Sequence, residues 1–307
     1  MTGEGVPQVV ERAMRTPDGR RLRVQASEPA HESDGGAGAA QRLIVLEAGL
    51  GGTAEHWAAV RRSIGDRARV VAYDRAGYGG SDPATGPRDL ERLADDLALV
   101  LDAALQGWGD RGAVSPPRVV LVGHSWGGPI VRVLAARRIG DARLAGLVLV
   151  DPSDEHAAVY GSRAMRWGSA LQQRLYAPLA RLRLLGPLVR STVARLPEPH
   201  RTAAARDAGS LDAARAMAAE EAHVVPELQC LLAAPLELGE LPVTILSGRH
   251  AGRLERATRD ALSHAHRTSA EGLAGGRYVE ALRSGHLVPL DEPHLVADEA
   301  LALLTRP

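Results

Sequence analysis

Five unbroken apolar runs restrict this chain more than any other feature: "LIVLE" (43–47), "RVVAY" (69–73), "RVVLV" (118–122), "LAGLVLV" (144–150) and "VTILS" (243–247). None alternates polar with apolar residues, so each predicts a strand buried on both faces, as in a parallel sheet. Parallel neighbours need long crossovers. Helical periods lie between the runs: Trp57, Val60 and Ile64, then Leu90 through Leu105. A sixth run, "RYVEAL" (277–282), extends the set, and a hairpin over residues 8–27, turning at "TPDG", precedes it. The expected fold class is α/β, a mostly parallel sheet covered by helices on both faces and led by an antiparallel hairpin.

One connection breaks the rhythm. From Pro152 to Glu240 no strand pattern occurs, only Ala/Leu/Arg-rich helical segments punctuated by Pro178, Gly186–Pro187, Pro197, Pro199 and Pro226. An excursion of that length is expected to be a lid or a binding element. Within it Leu171, Leu175, Leu179, Leu182 and Leu185 recur at three- and four-residue spacings, one apolar helical face. Met165, Trp167 and Met217 are candidate pocket liners.

Composition excludes several classes. Of 307 residues, 37 are basic and 37 acidic, with no block of one sign, so neither a nucleic-acid surface nor an anionic membrane partner is expected. Cys230 is the sole cysteine, which rules out an intrachain disulfide and argues against a cysteine metal site. No H-E-x-x-H or Cys/His cluster occurs, so no metal is expected. Residues 1–30 carry no apolar secretory core and no run is long enough to span a bilayer, giving the expectation of a cytoplasmic protein.

The loop after "LIVLE" poses an ambiguity. Gly49, Gly51 and Ala54 spell G-x-G-x-x-A, and the next strand ends in Asp74, together the pattern of a dinucleotide-binding βαβ unit. A second motif weighs against that reading. "RVVLVGHSWGGPIVRVLAARRI" (118–139) holds Gly123-x-Ser125-x-Gly127 between a strand and an amphipathic helix, with Pro129 in the first helical turn, where its missing N–H does no harm. Glycines flank a nucleophile held on a strained strand-to-helix turn, and the helix N-terminus offers N–H groups to a developing oxyanion.

With "VAYDRAGYGGSD" (71–82) and "SGHLVPLDEPHLV" (284–296), this elbow resembles the α/β-hydrolase fold family over nearly the whole chain. The resemblance implies a mostly parallel eight-stranded sheet, a core of residues 1–151 and 241–307, and a helical cap of residues 152–240 inserted after the sixth strand. It makes Ser125 the nucleophile and His286 the base. His286 also follows an apolar strand, in a glycine-containing loop after Ser125, as the chain order of such sites requires. The backbone N–H groups of Leu50 and Trp126 are the implied oxyanion donors. The glycine-rich loop is then explained without a dinucleotide, no cofactor is expected, and Asp74 becomes a residue that orders its own loop.

The acid departs from the family's usual pattern. The segment after "LPVTILSG" continues "RHAGRLERATRD" and carries no carboxylate before Glu255. Some relatives take the acid from the end of the preceding strand, which here points to Asp151, with Asp154 second. Glu47-Ala48 stands where many relatives have an apolar residue and His. Glu47 would need a buried partner, with Arg75 and His56 as candidates. His124 is read as a packing or loop-anchoring residue, and His250 sits in the loop where the acid is usually found. The implied activity is hydrolysis of a small-molecule ester or lactone through an acyl-enzyme on Ser125. The alternatives are a weakly active or inactive small-molecule binding protein of the same fold, an iminopeptidase-like or C–C bond hydrolase, and, most distantly, an oxidoreductase. Oligomeric state and natural substrate are not encoded in any motif.

Overall fold

The computed structural model describes residues 9–29, 41–109, 117–186 and 193–306. Eight strands form one sheet: β1 (Val9–Arg15), β2 (Arg21–Ser27), β3 (Arg42–Glu47), β4 (Arg69–Tyr73), β5 (Arg118–His124), β6 (Leu144–Val150), β7 (Val243–Gly248) and β8 (Gly276–Ala281). Their order is β1-β2-β4-β3-β5-β6-β7-β8. β2 runs antiparallel to both neighbours, and every other pairing is parallel. Each apolar run of the sequence is a strand.

Side chains alternate between two faces. Leu43, Val45, Leu121, Leu147 and Ile245 join a core under α2 (Leu90–Gly109), α3 (Gly127–Arg137) and the end of α7 (Arg256–Gly272), whereas Ile44, Leu46, Val120, Val148 and Leu246 join a second core with α1 (Ala58–Ile64) and α9 (Pro293–Thr305). The unbroken apolar character of the strands thus follows from helices covering both sides.

The chain leaves β3 toward β4 on one side and returns to β5 on the other. At such a reversal the loops beyond the carboxyl ends of adjacent strands separate and open a crevice. β3 and β5 end in register there, Glu47 opposite Gly123, so the loop after Glu47 and the turn after His124 face one another.

Between β6 and β7 lie α4 (Arg163–Arg181), α5 (His200–Ala208) and α6 (Leu211–Ala233). Ser210 caps α6 by accepting the Ala213 N–H at 3.0 Å. Tyr176 and Ala180 of α4 pack on Ala213, Ala214 and Met217 of α6, and Tyr78 from the loop after β4 joins them. Pro178 and Pro226, which punctuate the sequence, lie inside α4 and α6 rather than at their ends. An interior proline costs one backbone hydrogen bond, and here the packing of the two helices outweighs it. A four-residue helix α8 (Val288–Asp291) follows the loop that carries His286. Among the described residues no helix is long and apolar enough to cross a membrane.

Candidate active site

Ser125 sits at φ +52°, the left-handed region that a non-glycine residue adopts only when its surroundings enforce it. Those surroundings are visible. The Ser125 N–H donates to the Val150 carbonyl at 3.0 Å, and its own carbonyl accepts from the N–H groups of Gly128 and Ser153, each at 3.0 Å. A Cβ on Gly123 would lie 2.3 Å from the Gly127 carbonyl oxygen, and one on Gly127 would lie 2.4 Å from that of Glu47. Both flanking positions therefore exclude any larger residue, which is the physical content of the G-x-S-x-G spacing.

Ser125 and His286 both line a cavity of about 560 Å³ at the crevice between β3 and β5. Its lining includes Leu50 and its glycine neighbours, with Met217 of α6 packed against Gly51, and Leu171, Leu175 and Leu179 of α4. His56, His124, Gln172 and Tyr176 add polar atoms, and no charged side chain lines it among the described residues. Trp167 lies outside this wall and is 75% exposed, so it is not a liner. Leu182 is likewise exposed, and the Met165 side chain falls outside the described residues.

Asp151, at the end of β6, is 1% exposed and also left-handed, with φ +42°. Its Oδ2 accepts from His286 Nδ1 at 2.7 Å and from Arg259 Nη1 at 2.8 Å, and its Oδ1 accepts from the Gly248 N–H at 2.9 Å. Burial pushes its carboxyl up, but His286, His266 and Arg259 outweigh it and hold the group well below the usual carboxylate range. His266, fully buried on α7, fixes the next residue by donating Nε2–H to the Pro152 carbonyl at 2.9 Å. Asp154 takes other partners: it accepts from Ser269 Oγ at 2.7 Å and from the His156 N–H at 2.9 Å. His286, whose side chain is 52% exposed, thus meets Asp151 and not Asp154.

His124 anchors the loop that carries His286, as expected, and also lines the cavity beside Ser125. Its Nε2 donates to the His286 carbonyl at 2.8 Å and its ring lies 4.9 Å from that of His286. Burial, then the neighbouring His286, push its pKa down to about 3. His250 is exposed and does not reach the cavity.

The loop after β3 is braced from behind. Arg75 donates to the carbonyls of Ala48 and Gly49 at 2.5 and 2.8 Å, and its Nη1 meets Glu47 at 2.6 Å. The Tyr73 hydroxyl donates to the same Glu47 carboxylate at 2.6 Å. Arg75 also forks onto Glu220 of α6 at 2.8 and 3.1 Å, and Arg88 joins that carboxylate. The partner of Glu47 is therefore Arg75, not His56. His56 accepts the Thr53 N–H at Nδ1 instead. Burial raises the Glu47 pKa, whereas Arg75 and Arg88 overcome the burial of Glu220 and hold it below the ordinary value.

Asp74 is fully buried, with the N–H groups of Ala54 and Gly80 and the Arg23 guanidinium on its oxygens. It orders its own loops and offers nothing to a ribose.

A family model described as the alpha/beta hydrolase family matches residues 44–299. The chain belongs to the α/β-hydrolase family. Among relatives, a Caulobacter sp. (strain K31) protein provisionally named the carbamate hydrolase RutD is 33% identical over 122 residues, 39% of this chain and 41% of that protein. The chain thus matches less than half of that relative's length. Two solved α/β-hydrolase-fold structures align across nearly everything. They are the enol-lactonase of Burkholderia xenovorans LB400 (20% identity, TM-score 0.62, 96% of this chain and 100% of that one) and a thermophilic esterase of Thermogutta terrifontis (21%, 0.63, 97% and 100%). At such identities they establish the fold alone.

Within this α/β-hydrolase, the residues that local motifs did not disclose are Arg259, His266, Arg88 and Glu220. Each acts across a long sequence separation, and none stands in a recognisable spacing. The carboxylate of Glu47 at a buried strand end was a signal for Arg75 alone.

Proposed function

We propose that this α/β-hydrolase cleaves a small-molecule ester or lactone through an acyl-enzyme on Ser125, with His286 as general base and Asp151 as the acid that orients it. One observation carries the reading: a serine in left-handed conformation opens into the same apolar cavity as a histidine whose far nitrogen is engaged by a buried, ionised carboxylate. A histidine that donates Nδ1–H to Asp151 presents a basic Nε2. In this mechanism Nε2 takes the Ser125 hydroxyl proton as Oγ attacks the acyl carbon, and returns it to the leaving alkoxide. Water then attacks the acyl-enzyme, giving a proton to His286, which passes it to Ser125 Oγ as the acyl–oxygen bond breaks and the acid leaves.

The oxyanion is assigned to the N–H groups of Leu50 and Trp126. In a trans peptide the C=O and N–H point opposite ways. The Gly49 carbonyl is held by Arg75 and by the Gly52 N–H, so the Leu50 N–H of that peptide is directed away from Arg75. Close approach of this loop to Ser125 is supported by Gly49, where a Cβ would fall 2.9 Å from the serine Cβ. Residues 152–240 are read as a cap over a core of residues 1–151 and 241–307. Among the described residues the cavity lacks a carboxylate to receive a substrate amine, which favours a neutral ester or lactone over an iminopeptidase substrate.

The deciding experiment is intact mass after exposure to a fluorophosphonate, with Ser125→Ala alongside. A single adduct, lost in the variant, is expected, together with a loss on the order of a million-fold in kcat. Folded protein that takes no adduct overturns the mechanism in favour of a binding protein.

A further inference from the structure

Five of the ten large apolar side chains exposed among the described residues lie within one short stretch: Trp167 (75%), Leu171 (59%), Leu175 (43%), Leu182 (68%) and Leu184 (50%). Scattered singly, such residues need no explanation, but a cluster marks a surface that meets something apolar. Trp167, Leu171 and Leu175 recur every four residues, so they form one stripe along α4, and Leu182 and Leu184 carry apolar surface past the helix end. We propose that this stripe docks α4 on the surface of an anionic lipid bilayer.

Charge selects that partner. The equal totals of 37 basic and 37 acidic residues, which spoke against an anionic membrane, conceal a local excess. From His156 to Pro197 the sequence holds seven arginines and no acidic residue. Arg163, Arg174, Arg181 and Arg183 are all exposed, and none forms an ion pair among the described residues. The first three are spaced eleven and seven apart, about three and two helical turns, so they make a single row. That row borders the stripe: Arg163 stands four residues before Trp167, and Arg174 three after Leu171. On the other border Gly168, Gln172 and Leu179 line the Ser125 cavity, and Tyr176 and Ala180 are buried against α6.

A helix with tryptophan and leucine on one face and a flanking row of arginines suits a lipid interface, its apolar face among the acyl chains and its guanidinium groups on headgroup phosphates. The carboxylates of a protein partner would call for arginines held in fixed positions. These guanidinium groups have no partner among the described residues, which fits headgroups of variable spacing. Leu171 and Leu175 belong to both the stripe and the cavity lining, so apolar surface is continuous from the docking face into the chamber.

Co-sedimentation of the full chain with vesicles tests the surface, comparing equal parts phosphatidylglycerol and phosphatidylcholine with phosphatidylcholine alone. Binding to the mixed vesicles is expected, about tenfold tighter than to the neutral ones and weakened by added salt. Trp167→Ser and the pair Arg174→Ala/Arg181→Ala should each weaken it about tenfold, at unchanged melting temperature because these side chains are exposed. No co-sedimentation, equal binding to both vesicle types, or binding undiminished in both variants overturns the proposal. So does a dimer, seen by analytical ultracentrifugation in protein without vesicle affinity and dissociated by Trp167→Ser, which would assign the stripe to a second copy of the chain. Every readout is independent of hydrolysis, so this surface stands or falls separately from the function proposed for Ser125.

Discussion

His286 Nδ1 lies 2.7 Å from Asp151 Oδ2 across 135 residues of chain, and the carboxylate that receives it is held by Arg259 and the Gly248 N–H as well. An amide at position 151 can turn its NH2 toward the ring and favour the wrong tautomer. Asp151→Asn is therefore expected to lower kcat by about 10⁴-fold. Asp154→Asn, which disturbs only the Ser269 and His156 contacts, should keep the rate within a few-fold. Steady-state kinetics on a chromogenic ester, with circular dichroism as the folding check, separates the two; equal losses would remove Asp151 from the mechanism.

Glu220 is the hub of a buried charge network, and its removal leaves the Arg75 and Arg88 guanidinium groups short of an anion. Breaking one side of a buried pair costs about 3–5 kcal/mol, so Glu220→Ala should show a loss of that size in urea unfolding. Because Arg75 also fixes the Ala48 and Gly49 carbonyls, kcat should fall more than KM rises. A variant with wild-type stability would show the network to be slack.

Acid sensitivity should set in above the carboxylate range. The folded-state pKa of His124 is depressed to about 3, far below its ordinary value near 6.5, and burial depresses His56 too. The unfolded chain then takes up these protons first. Their stabilising contribution is complete above about pH 6.5 and is lost progressively as pH falls toward 3. Urea midpoints should decline between pH 7.5 and 5, and less steeply in His124→Gln. A slope unchanged by that substitution would assign the effect to other groups.

Substrate preference should follow the α4–α6 wall. Met217 is 8% exposed and faces both the cavity and Gly51, where a Cβ would meet its sulfur at 3.0 Å. Met217→Ala is expected to reduce kcat/KM for long-chain acyl esters about tenfold, with little change for acetate esters and none in fluorophosphonate labelling rate. Uniform losses across chain lengths would mean that the wall only supports the fold.

Local pattern carried the strands, the elbow and the segment containing His286, because each is written in consecutive residues: apolar runs for β3 to β7, glycines around Ser125, a short loop after β8. Asp151 was singled out through the family resemblance, as the carboxylate at the end of the preceding strand, with Asp154 second. Arg259 was not, since it is one of many arginines in a helix with no distinguishing neighbour, and only the folding of α7 against β7 brings it to Asp151. Glu220 escaped notice for the same reason, lying 145 residues from Arg75. Trp167 misled in the opposite direction: a large aromatic side chain suggested a pocket, yet α4 turns it to solvent.

The ion pairs of Glu220 have a bearing on traffic. They rivet α6 to the loop behind Ser125, and withdrawing that helix as a hinged door would part Glu220 from both Arg75 and Arg88. Among the described lining residues, Leu171 and Leu175 of α4 are apolar side chains that also reach solvent. With α6 as a fixed sill, turnover of bulky molecules is expected to track how readily these two leucine side chains change rotamer.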